Sequence, residues 1–505
     1  MIPDLKALSV YIEKTAREWK TPGLAVAIVK NDNVLFAKGF GVRRLGRPSP
    51  VDERTVFPIA SCTKAFTAAA LALFVDDGRI RWDDPVTTHL RDLHLQEPSL
   101  SRRLTVRDLL CHRSGLPKAT GDHLWFATTY PRSEILRRLR YLKPRYAHRQ
   151  RFEYENLMFI AAGQIVPAVA GKSWDAFLKE RIFLPLGMST ASTSITALKG
   201  QGGNVVSAHV EIRDEVRPAP LINVDNLGPA GSINASVLDI AQWLKLLLNQ
   251  GVFNGRQIVS STVVQEMWKP QIALAQSAQG SSPKGLPAYG LGWFLDDYQG
   301  RRVVEHGGGL VGVTAQISLL PQERLGVVVL SNKSYKAISL PRLLANRIFS
   351  LFVETAAKDA ISDYLAYEKR SRQESREMEA GDDSSVTGNT RRRLDLDRFT
   401  GVYANRMYGN VKVSIAKGKL MLFPLPSPSL VADLEPLANG SSEFRVRWHA
   451  SIFPNGLATF VPDAKRRNSN TVKIDFPNAD LDSSALTFHR ISGWAAASPV
   501  PETTS

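Results

Sequence analysis

The chain has 505 residues, of which 44% are apolar and 22% are charged, and this composition excludes a disordered or fibrous protein. A chain of this length holds about three domains, or one large catalytic domain with a smaller one attached. The 64 Lys and Arg residues against 48 Asp and Glu residues leave a net charge of +16, which raises nucleic acid, an anionic membrane surface or an anionic substrate as candidate partners.

The first predicted elements are a helix and a hairpin. Apolar residues recur at three- and four-residue intervals between Leu5 and Trp19, which indicates an amphipathic helix. The apolar runs Leu24–Val29 and Val34–Phe40 flank a polar turn and predict a β-hairpin. Further helices are predicted at Ala65–Asp76, Leu157–Val169 and Val237–Gln250.

Strand patterns return before residue 335 and complete the first predicted domain. Strands at both ends of the region with helices between them predict one α+β domain, whose sheet closes from both termini. We place this domain at residues 1–352. The late strands are predicted at Gly290–Leu295, Arg302–Glu305, Val313–Leu320 and Gly326–Ser331.

A linker and a second, smaller domain follow. Residues 353–393 are predicted to be a helical and charged linker, because charged residues, Ser and Gly dominate its second half. Residues 394–493 alternate short strands with turns and predict a small antiparallel β-barrel, with a sandwich as the alternative, and residues 494–505 a disordered tail. The strands of this domain are predicted at Val411–Ile415, Leu420–Phe423, Phe444–Trp448 and Ala485–His489.

Several classes of protein are disfavoured by what the sequence contains. Cys62 and Cys111 are too few for a disulfide framework, and the nine histidines include no HExxH spacing, so no metal or cofactor is expected. No zinc-finger or RNP-type motif supports nucleic-acid binding. No secretory signal is evident, and the longest apolar stretch, Ala65 to Val75, is shorter than the ~20 residues of a membrane span. We expect a cytoplasmic protein with no membrane partner.

The strongest chemical signal is the tetrapeptide that runs from Ser61 to Lys64 at the start of a predicted apolar helix. Residues three apart on a helix share a face, so the serine hydroxyl and the lysine amine can meet. A serine hydroxyl is a weak nucleophile that needs a neighbouring base, and burial lowers the pKa of a lysine enough for it to serve. Cys62 points about 100° away from Ser61 and is expected to pack into the core.

Four further motifs in the same order make the chain resemble the serine β-lactamase and penicillin-binding-protein superfamily, in its class C and esterase-like branch. The second motif is Tyr154-Glu155-Asn156, and the third is His306-Gly307-Gly308-Gly309. Two accessory stretches, Leu109–Pro117 and Pro229–Asn234, are also similar to the family. The resemblance covers roughly residues 5–335 and implies a β-lactamase-like domain, while the C-terminal domain resembles the lipocalin-like appendage of some relatives.

The resemblance also implies roles for the motif residues. Ser61 is the expected acylated nucleophile, and Lys64 with Tyr154 the expected pair that takes its proton and passes it to the leaving group. Asn156 is expected to hydrogen-bond Lys64 and the substrate. The division of labour between Lys64 and Tyr154 stays open, because coupled groups titrate as a unit.

The third motif is expected to hold the substrate. Gly308 and Gly309 allow a substrate to lie against the strand, and the backbone N–H groups of Ser61 and Gly309 form the expected oxyanion hole. His306 stands where relatives usually carry Lys, and a near-neutral histidine is the weaker anchor for a carboxylate. Glu155 is a second departure, which disfavours acidic substrates if its carboxylate faces the cleft.

A basic cluster precedes the second motif. Between Pro131 and Glu153 eight Lys and Arg residues stand against two Glu residues. One interpretation is a solvated helix face, and the other is a docking site for an anionic acyl carrier or a coenzyme-A thioester. The cluster consists of Arg132, Arg137, Arg138, Arg140, Lys143, Arg145, Arg149 and Arg151.

The sequence therefore predicts a serine hydrolase that acts through an acyl-enzyme on an ester, thioester or amide of a small molecule or peptide. One alternative is an acyltransferase of secondary metabolism that uses an acyl thioester donor. An alternative of another class is a non-catalytic scaffold or filament-forming member of the same fold, against which the joint presence of Ser61, Lys64 and Tyr154 argues.

Overall fold

The chain divides into two compact units in the structure, a computed structural model. Residues 1–125 and 130–379 form the first unit, and residues 126–129 and 380–505 form the second. The described residues are 2–198, 203–212, 214–275, 287–335, 339–353, 360–367, 369–370, 395–416, 418–437, 442–450, 453, 455–462, 469–475 and 486–491.

The predicted linker is described only in part. Within residues 353–393, residues 360–367 and 369–370 are helical, and most of the charged stretch lies outside the described residues. The predicted tail, residues 494–505, also lies outside them.

The four predicted helices of the first unit are confirmed to within two residues at each end. The α-helices are α1 Leu5–Glu18, α2 Thr63–Asp76, α3 Val86–His89, α4 Pro98–Arg103, α5 Val106–Leu109, α6 Arg132–Arg138, α7 Asn156–Ala170, α8 Trp174–Leu178, α9 Ile195–Leu198, α10 Val237–Leu248, α11 Ser261–Met267 and α12 Leu340–Phe352. The predicted helices are α1, α2, α7 and α10, and the other helices of this unit were not predicted.

The strands of the first unit form one large antiparallel sheet and three two-stranded pairs. The large sheet has the order β2-β1-β14-β13-β12-β11-β10-β9, and the pairs are β3-β6, β4-β5 and β7-β8. The strands are β1 Gly23–Lys30, β2 Asn33–Gly41, β3 Phe57–Pro58, β4 Ala208–Ile212, β5 Glu215–Ala219, β6 Asn234–Ala235, β7 Val252–Phe253, β8 Arg256–Gln257, β9 Ile272–Ala273, β10 Ala288–Tyr289, β11 Phe294–Tyr298, β12 Arg301–Leu310, β13 Val313–Leu320 and β14 Leu325–Ser331.

The sheet closes from both ends of this unit, as the sequence predicts. β1 pairs with β14 along its whole length, with Leu24 opposite Ser331 and Lys30 opposite Leu325. Both strands are buried on both faces and read as continuous apolar runs. The hydrophobic core on one face joins residues of α1 and α12 to alternate residues of β1 and β14, such as Ile12, Ile348, Val26 and Val327. α10 packs against β1 and β14 as well.

One predicted strand is wrong. The stretch Gly290–Leu295 is divided in the structure, since β10 ends at Tyr289 and β11 begins at Phe294. Gly292 has a φ of +77° in the turn between them, and a Cβ atom at this position would lie 2.8 Å from the Lys64 carbonyl oxygen. The turn approaches α2 too closely for a side chain, so the apolar pattern here reflects burial of a turn rather than pairing of a strand.

α2 is the helix that carries the predicted nucleophile motif, and it is apolar on every side. Its residues from Thr63 to Phe74 are all buried, which is the pattern of a helix enclosed in a core. In the described part of the chain no single helix is long and apolar enough to cross a membrane. α7 together with Trp174–Phe183 passes that criterion as a pair bent by 79°.

The second unit contains a closed antiparallel barrel, which confirms the predicted barrel over the sandwich alternative. Its strands follow one another around the barrel in chain order. Tyr403, Phe444 and Phe460 are fully buried, and the ring of Phe399 lies 4.9 Å from Phe444, so aromatic rings form its core. The strands are β15 Gly401–Asn405, β16 Gly409–Ala416, β17 Lys419–Pro424, β18 Ala432–Pro436, β19 Glu443–Trp448, β20 Gly456–Pro462, β21 Ser469–Asp475 and β22 Thr487–Arg490.

Candidate active site

Ser61 lies in a tight turn that leads into α2. A 3₁₀ turn spans Ala60–Cys62, and α2 continues from Thr63. Ala60 has a φ of +47°, a left-handed conformation that is uncommon for a residue with a side chain. The turn is held from outside, because the N–H of Ile59 donates to the carbonyl of Ile233. Strain of this kind persists only where the surrounding structure imposes it, and here it directly precedes the predicted nucleophile.

Lys64 is fully buried and its amine contacts three oxygen atoms. Nζ lies 3.2 Å from Ser61 Oγ, 2.8 Å from Asn156 Oδ1 and 2.9 Å from the carbonyl oxygen of Ala230. Two of these oxygens belong to carbonyl groups, which only accept, so they take two of the N–H bonds of the amine. The third bonding direction of the amine nitrogen faces the serine hydroxyl. A neutral amine places its lone pair there, ready to accept the hydroxyl proton.

The surroundings of Lys64 favour that neutral form. Burial lowers the pKa of the Lys64 ammonium from 10.5 to about 7, and the negative charge of Asp122 opposes part of the fall. The amine therefore exchanges its proton in the neutral range, which is the property of an efficient general base.

Tyr154 stands beside the same amine as a neutral phenol. Nζ of Lys64 lies 4.7 Å from the centre of the Tyr154 ring, and the other side of the site is closed by His112, whose ring stacks on Tyr154 at 4.2 Å. Burial raises the pKa of the Tyr154 phenol well above its usual value of 10, although its hydrogen bond with Ser61 opposes the rise. The phenol keeps its proton and can donate it.

The segment that carries Tyr154 is fixed by a buried loop. His112 is fully buried, and its Nδ1 accepts the backbone N–H of Glu155 at 3.0 Å. The hydroxyl of Ser114 donates to Glu155 Oε2 at 2.9 Å. Burial raises the pKa of the Glu155 carboxyl well above its usual range. Glu155 is therefore a buried side chain that binds the loop, and its burial favours the uncharged form of the carboxyl.

His306 lies on β12 and is also held in one protonation state. Its Nδ1 lies 2.6 Å from the carbonyl oxygen of Gly307, and only an N–H can bond a carbonyl, so Nδ1 carries the proton. Nε2 then accepts the hydroxyl proton of Tyr289 at 3.0 Å. Burial, helped by the charge of Lys64, lowers the pKa of His306 to about 3. The ring is neutral, and both of its nitrogens are occupied.

The two predicted substrate-binding glycines differ in what they permit. A Cβ atom on Gly308 would lie 2.1 Å from the carbonyl oxygen of Ile59 and 3.1 Å from the nitrogen of Ser61. Gly308 therefore lets β12 approach the nucleophile turn, a reason that differs from the predicted approach of a substrate. A Cβ atom on Gly309 would meet nothing within 4 Å, so the strand is open at that residue.

The basic cluster is paired only in part by the residues that the structure describes, since four carboxylates meet five of its eight cations and Glu134 is shared by two of them. Carboxylates pair with Arg132, Arg137, Arg138, Arg149 and Arg151. The partner of Arg149 is the fully buried Asp108, which also binds Arg113 and His148. Ion pairs of this kind leave less positive charge for an anionic ligand than the sequence suggests.

Several contacts of the site could not be anticipated from the motifs. Asp122 accepts a hydrogen bond from the Asn156 amide, Ala230 supplies a carbonyl to Lys64, and Tyr289 donates to His306. Only the Pro229–Asn234 stretch had a signal, as an accessory resemblance. Among the described residues, no three His, Cys, Asp or Glu side chains converge where they could hold a metal ion.

The fold and the site together define the class of protein. The family model described as Beta-lactamase matches residues 11–347, so the chain belongs to this family of serine hydrolases.

Two curated relatives show the extent of the similarity. The protein named Unguisins hydrolase ungD', from Aspergillus campestris (strain IBT 28561), is 30% identical over 339 residues, which are 65% of this chain and 61% of the relative. Protein flp of Staphylococcus aureus (strain COL) is 25% identical over 329 residues, which are 64% of this chain and 62% of the relative. The chain therefore matches less than two thirds of the length of these relatives.

A solved structure extends the similarity to most of the chain. The octameric penicillin-binding protein homologue from Pyrococcus abyssi has a TM-score of 0.61 and 23% identity, and the match covers 94% of this chain and 98% of the other. At this identity the comparison establishes the fold alone.

Proposed function

We propose that the protein hydrolyses an ester, thioester or amide of a small molecule or peptide through an acyl-enzyme on Ser61. The observation that carries the proposal is the environment of Lys64, whose two carbonyl acceptors leave one position of a buried amine directed at the serine hydroxyl 3.2 Å away. A pKa of about 7 makes that amine a base at neutral pH. Family membership and the relative that is named a hydrolase support the same reaction class.

In the proposed acylation step Lys64 removes the proton from Ser61 Oγ as the oxygen attacks the acyl carbon. The resulting tetrahedral oxyanion is stabilised by the backbone N–H groups of Ser61 and Gly309. Tyr154 donates its phenolic proton to the leaving atom and recovers a proton from the Lys64 ammonium. The bond to the leaving group breaks, and Ser61 carries the acyl group.

Deacylation follows the same path in reverse with water as the nucleophile. Lys64, again neutral, accepts a proton through the Tyr154 hydroxyl as water attacks the acyl carbon, and Ser61 Oγ leaves with that proton. The acid product departs and the starting protonation states return. Asn156 holds the Lys64 amine in place throughout, since its Oδ1 lies 2.8 Å from Nζ.

His306 gives the substrate no anchor for a carboxylate next to the leaving group. Recognition of a carboxylate needs a cation or free donors, and His306 offers neither because Nδ1 binds Gly307 and Nε2 binds Tyr289. The ion pairs of five of the eight cluster cations weaken the case for an anionic acyl carrier or a coenzyme-A thioester as substrate.

Mass spectrometry of the intact protein tests the proposal. The wild type is exposed to p-nitrophenyl esters, a D-amino-acid amide, a cephalosporin and a fluorophosphonate. An acyl or phosphonyl adduct is expected in the wild type and in Cys62→Ala, since burial raises the pKa of the Cys62 thiol and keeps it unreactive. The adduct should be absent in Ser61→Ala.

Two outcomes would overturn the proposal. If no reagent labels the folded wild type, or if the adduct persists in Ser61→Ala, Ser61 is not the nucleophile. Complete absence of labelling favours a non-catalytic scaffold instead.

A further inference from the structure

Asp122 is a buried carboxylate behind the candidate active site. It begins the 3₁₀ turn Asp122–Leu124, directly after Gly121, whose φ is +75°. Asp122 is only 2% exposed to solvent. Oδ2 of Asp122 accepts a hydrogen bond of 2.8 Å from Nδ2 of Asn156. The resemblance to the family gave no role to this residue.

This hydrogen bond determines which way the Asn156 amide faces. A carboxylate only accepts, so it must be met by the NH₂ group of the amide. The amide carbonyl is then directed to the opposite side, where it lies 2.8 Å from Lys64 Nζ. In the flipped orientation the amide carbonyl would meet the Asp122 carboxylate, and two acceptors would face each other in a buried site. Asp122 thus ends a chain of three polar groups that leads to the base.

We propose that Asp122 is a positioning residue for the proposed acylation, which orients Asn156 and through its negative charge holds Lys64 basic enough to deprotonate Ser61. The inference rests on the proposed function, because it concerns the strength of the base in that reaction.

The other titratable side chains that face Lys64 are neutral at pH 7, so none of them opposes the negative charge of Asp122. Burial raises the pKa of the Cys62 thiol and of the Tyr154 phenol, and both stay neutral. Burial lowers the pKa of His112 well below its usual value and that of His306 to about 3, so both imidazoles are neutral at pH 7. The groups that face Lys64 are Ser61, Cys62, His112, Asp122, Tyr154 and His306.

The sign of the effect follows from the two influences on Lys64. Burial favours the neutral amine and lowers its pKa, while a nearby negative charge favours the ammonium and raises it. Removal of the Asp122 charge leaves burial less opposed, so the pKa of Lys64 falls. In a plot of acylation rate against pH, the acidic limb is the rise in rate as Lys64 loses its proton. This limb then moves to lower pH, and at higher pH the neutral amine is a weaker base.

The experiment measures the rate of Ser61 labelling by a fluorophosphonate as a function of pH, by intact mass, on the full chain. Asp122→Asn keeps an acceptor for Asn156 but removes the charge, and we expect its acidic limb to shift down by about one pH unit. Asp122→Ala removes both, and we expect the same shift with a labelling rate at high pH that is about 10- to 100-fold lower.

Asp239→Asn is the matched control, because Asp239 is a buried carboxylate that accepts hydrogen bonds from Thr190 and Ser236. This variant should keep the limb of the wild type even if its melting temperature falls. An unshifted limb in both Asp122 variants overturns the proposal, as does an equal shift in Asp239→Asn. If Asp122→Asn fails to fold, Asp122→Ala decides by the same readout.

Failure of the proposed function gives a different outcome. In that case the wild type itself is not labelled at any pH, or its label persists in Ser61→Ala. Labelling that requires Ser61 but has a limb independent of Asp122 retains the function and rejects the positioning role.

Discussion

Two buried basic side chains stand beside the Ser61 turn, and their neighbours give them opposite properties. Lys64 on α2 contacts two carbonyl oxygens and a hydroxyl. Burial lowers its pKa, and the charge of Asp122 opposes part of that fall, so the pKa is about 7. His306 on β12 donates to its own backbone and accepts from Tyr289, and its pKa falls to about 3. Burial favours the neutral form of both, but Lys64 lies near the negative charge of Asp122, whereas His306 faces the positive charge of Lys64, which lowers its pKa further.

The comparison shows that burial alone does not produce a catalytic base. Desolvation removes the charge from any buried amine or imidazole, and a neighbouring carboxylate or several acceptors must return the pKa to the working range. On this account the α2 side of the site moves protons, and the β12 side supplies shape and backbone donors. Substitutions can alter each side of the site separately.

Replacement of Lys64 should have the largest effect. Lys64→Met removes the base, and we expect the rate of Ser61 labelling to fall by about 10³-fold. Lys64→Arg keeps a cation that does not deprotonate in proteins, so its labelling rate should be as low as that of Lys64→Met. The measurement is fluorophosphonate labelling at pH 8, with circular dichroism as the check of folding. A rate in Lys64→Arg close to that of the wild type would contradict the role of Lys64 as a base.

Tyr154→Phe should have the next largest effect. The ring still stacks on His112, but no phenolic proton reaches the leaving group, so we expect kcat for an amide or an alkyl ester, whose leaving atom needs that proton, to fall by about 10²-fold. The acidic limb should stay near that of the wild type, because Lys64 and not the phenol determines it. A limb that moves by more than about one unit would show that Tyr154 titrates with the base.

Changes on the β12 side should affect stability more than rate. Tyr289→Phe leaves Nε2 of His306 without its donor in a buried site, which should cost about 1–3 kcal/mol of unfolding free energy. The rate on neutral esters should change by less than about 10-fold. Tyr298→Phe is the control, since the Tyr298 hydroxyl makes one long bond of 3.4 Å and its loss should cost less. Urea denaturation of the wild type, Tyr289→Phe and Tyr298→Phe measures the three free energies of unfolding.

The smallest effect is expected from the charge of the substrate. Two esters that differ only in a carboxylate or a carboxamide beside the leaving group should be hydrolysed with kcat/KM values that differ by less than about threefold, or in favour of the carboxamide. A clear preference of the wild type for the carboxylate would mean that β12 or a neighbour carries an anchoring cation, contrary to the contacts of His306.

Much of the fold could be predicted from periodicity. The hairpin at the start, the late strands and the helices around Ala65 and Val237 follow directly from apolar patterns, because each element buries a regular face. The division at Gly290–Leu295 could not be predicted, since a buried turn and a buried strand have the same apolar composition. The close approach of Gly292 to α2 is a tertiary contact that no local pattern contains.

The candidate site shows the same limit. Ser61, Lys64, Tyr154 and Asn156 were found because they lie in short motifs with a resemblance to a family. Asp122 and Tyr289 lie outside the motifs, and each contacts a motif residue distant in the chain. The orientation of Glu155 also depends on the fold, because nothing in the sequence shows that the Ser114 hydroxyl donates a hydrogen bond to it.

The most direct test of the central claim is the titration of Lys64 itself. In protein labelled with ¹³C at lysine Cε, the Lys64 signal is identified by its absence from Lys64→Met and followed by NMR as the pH is changed. We predict a midpoint near pH 7, far below the usual lysine value, which agrees with a buried amine that is poised to accept the Ser61 proton. A midpoint near 10 would show that Lys64 remains an ammonium at neutral pH and would contradict the account.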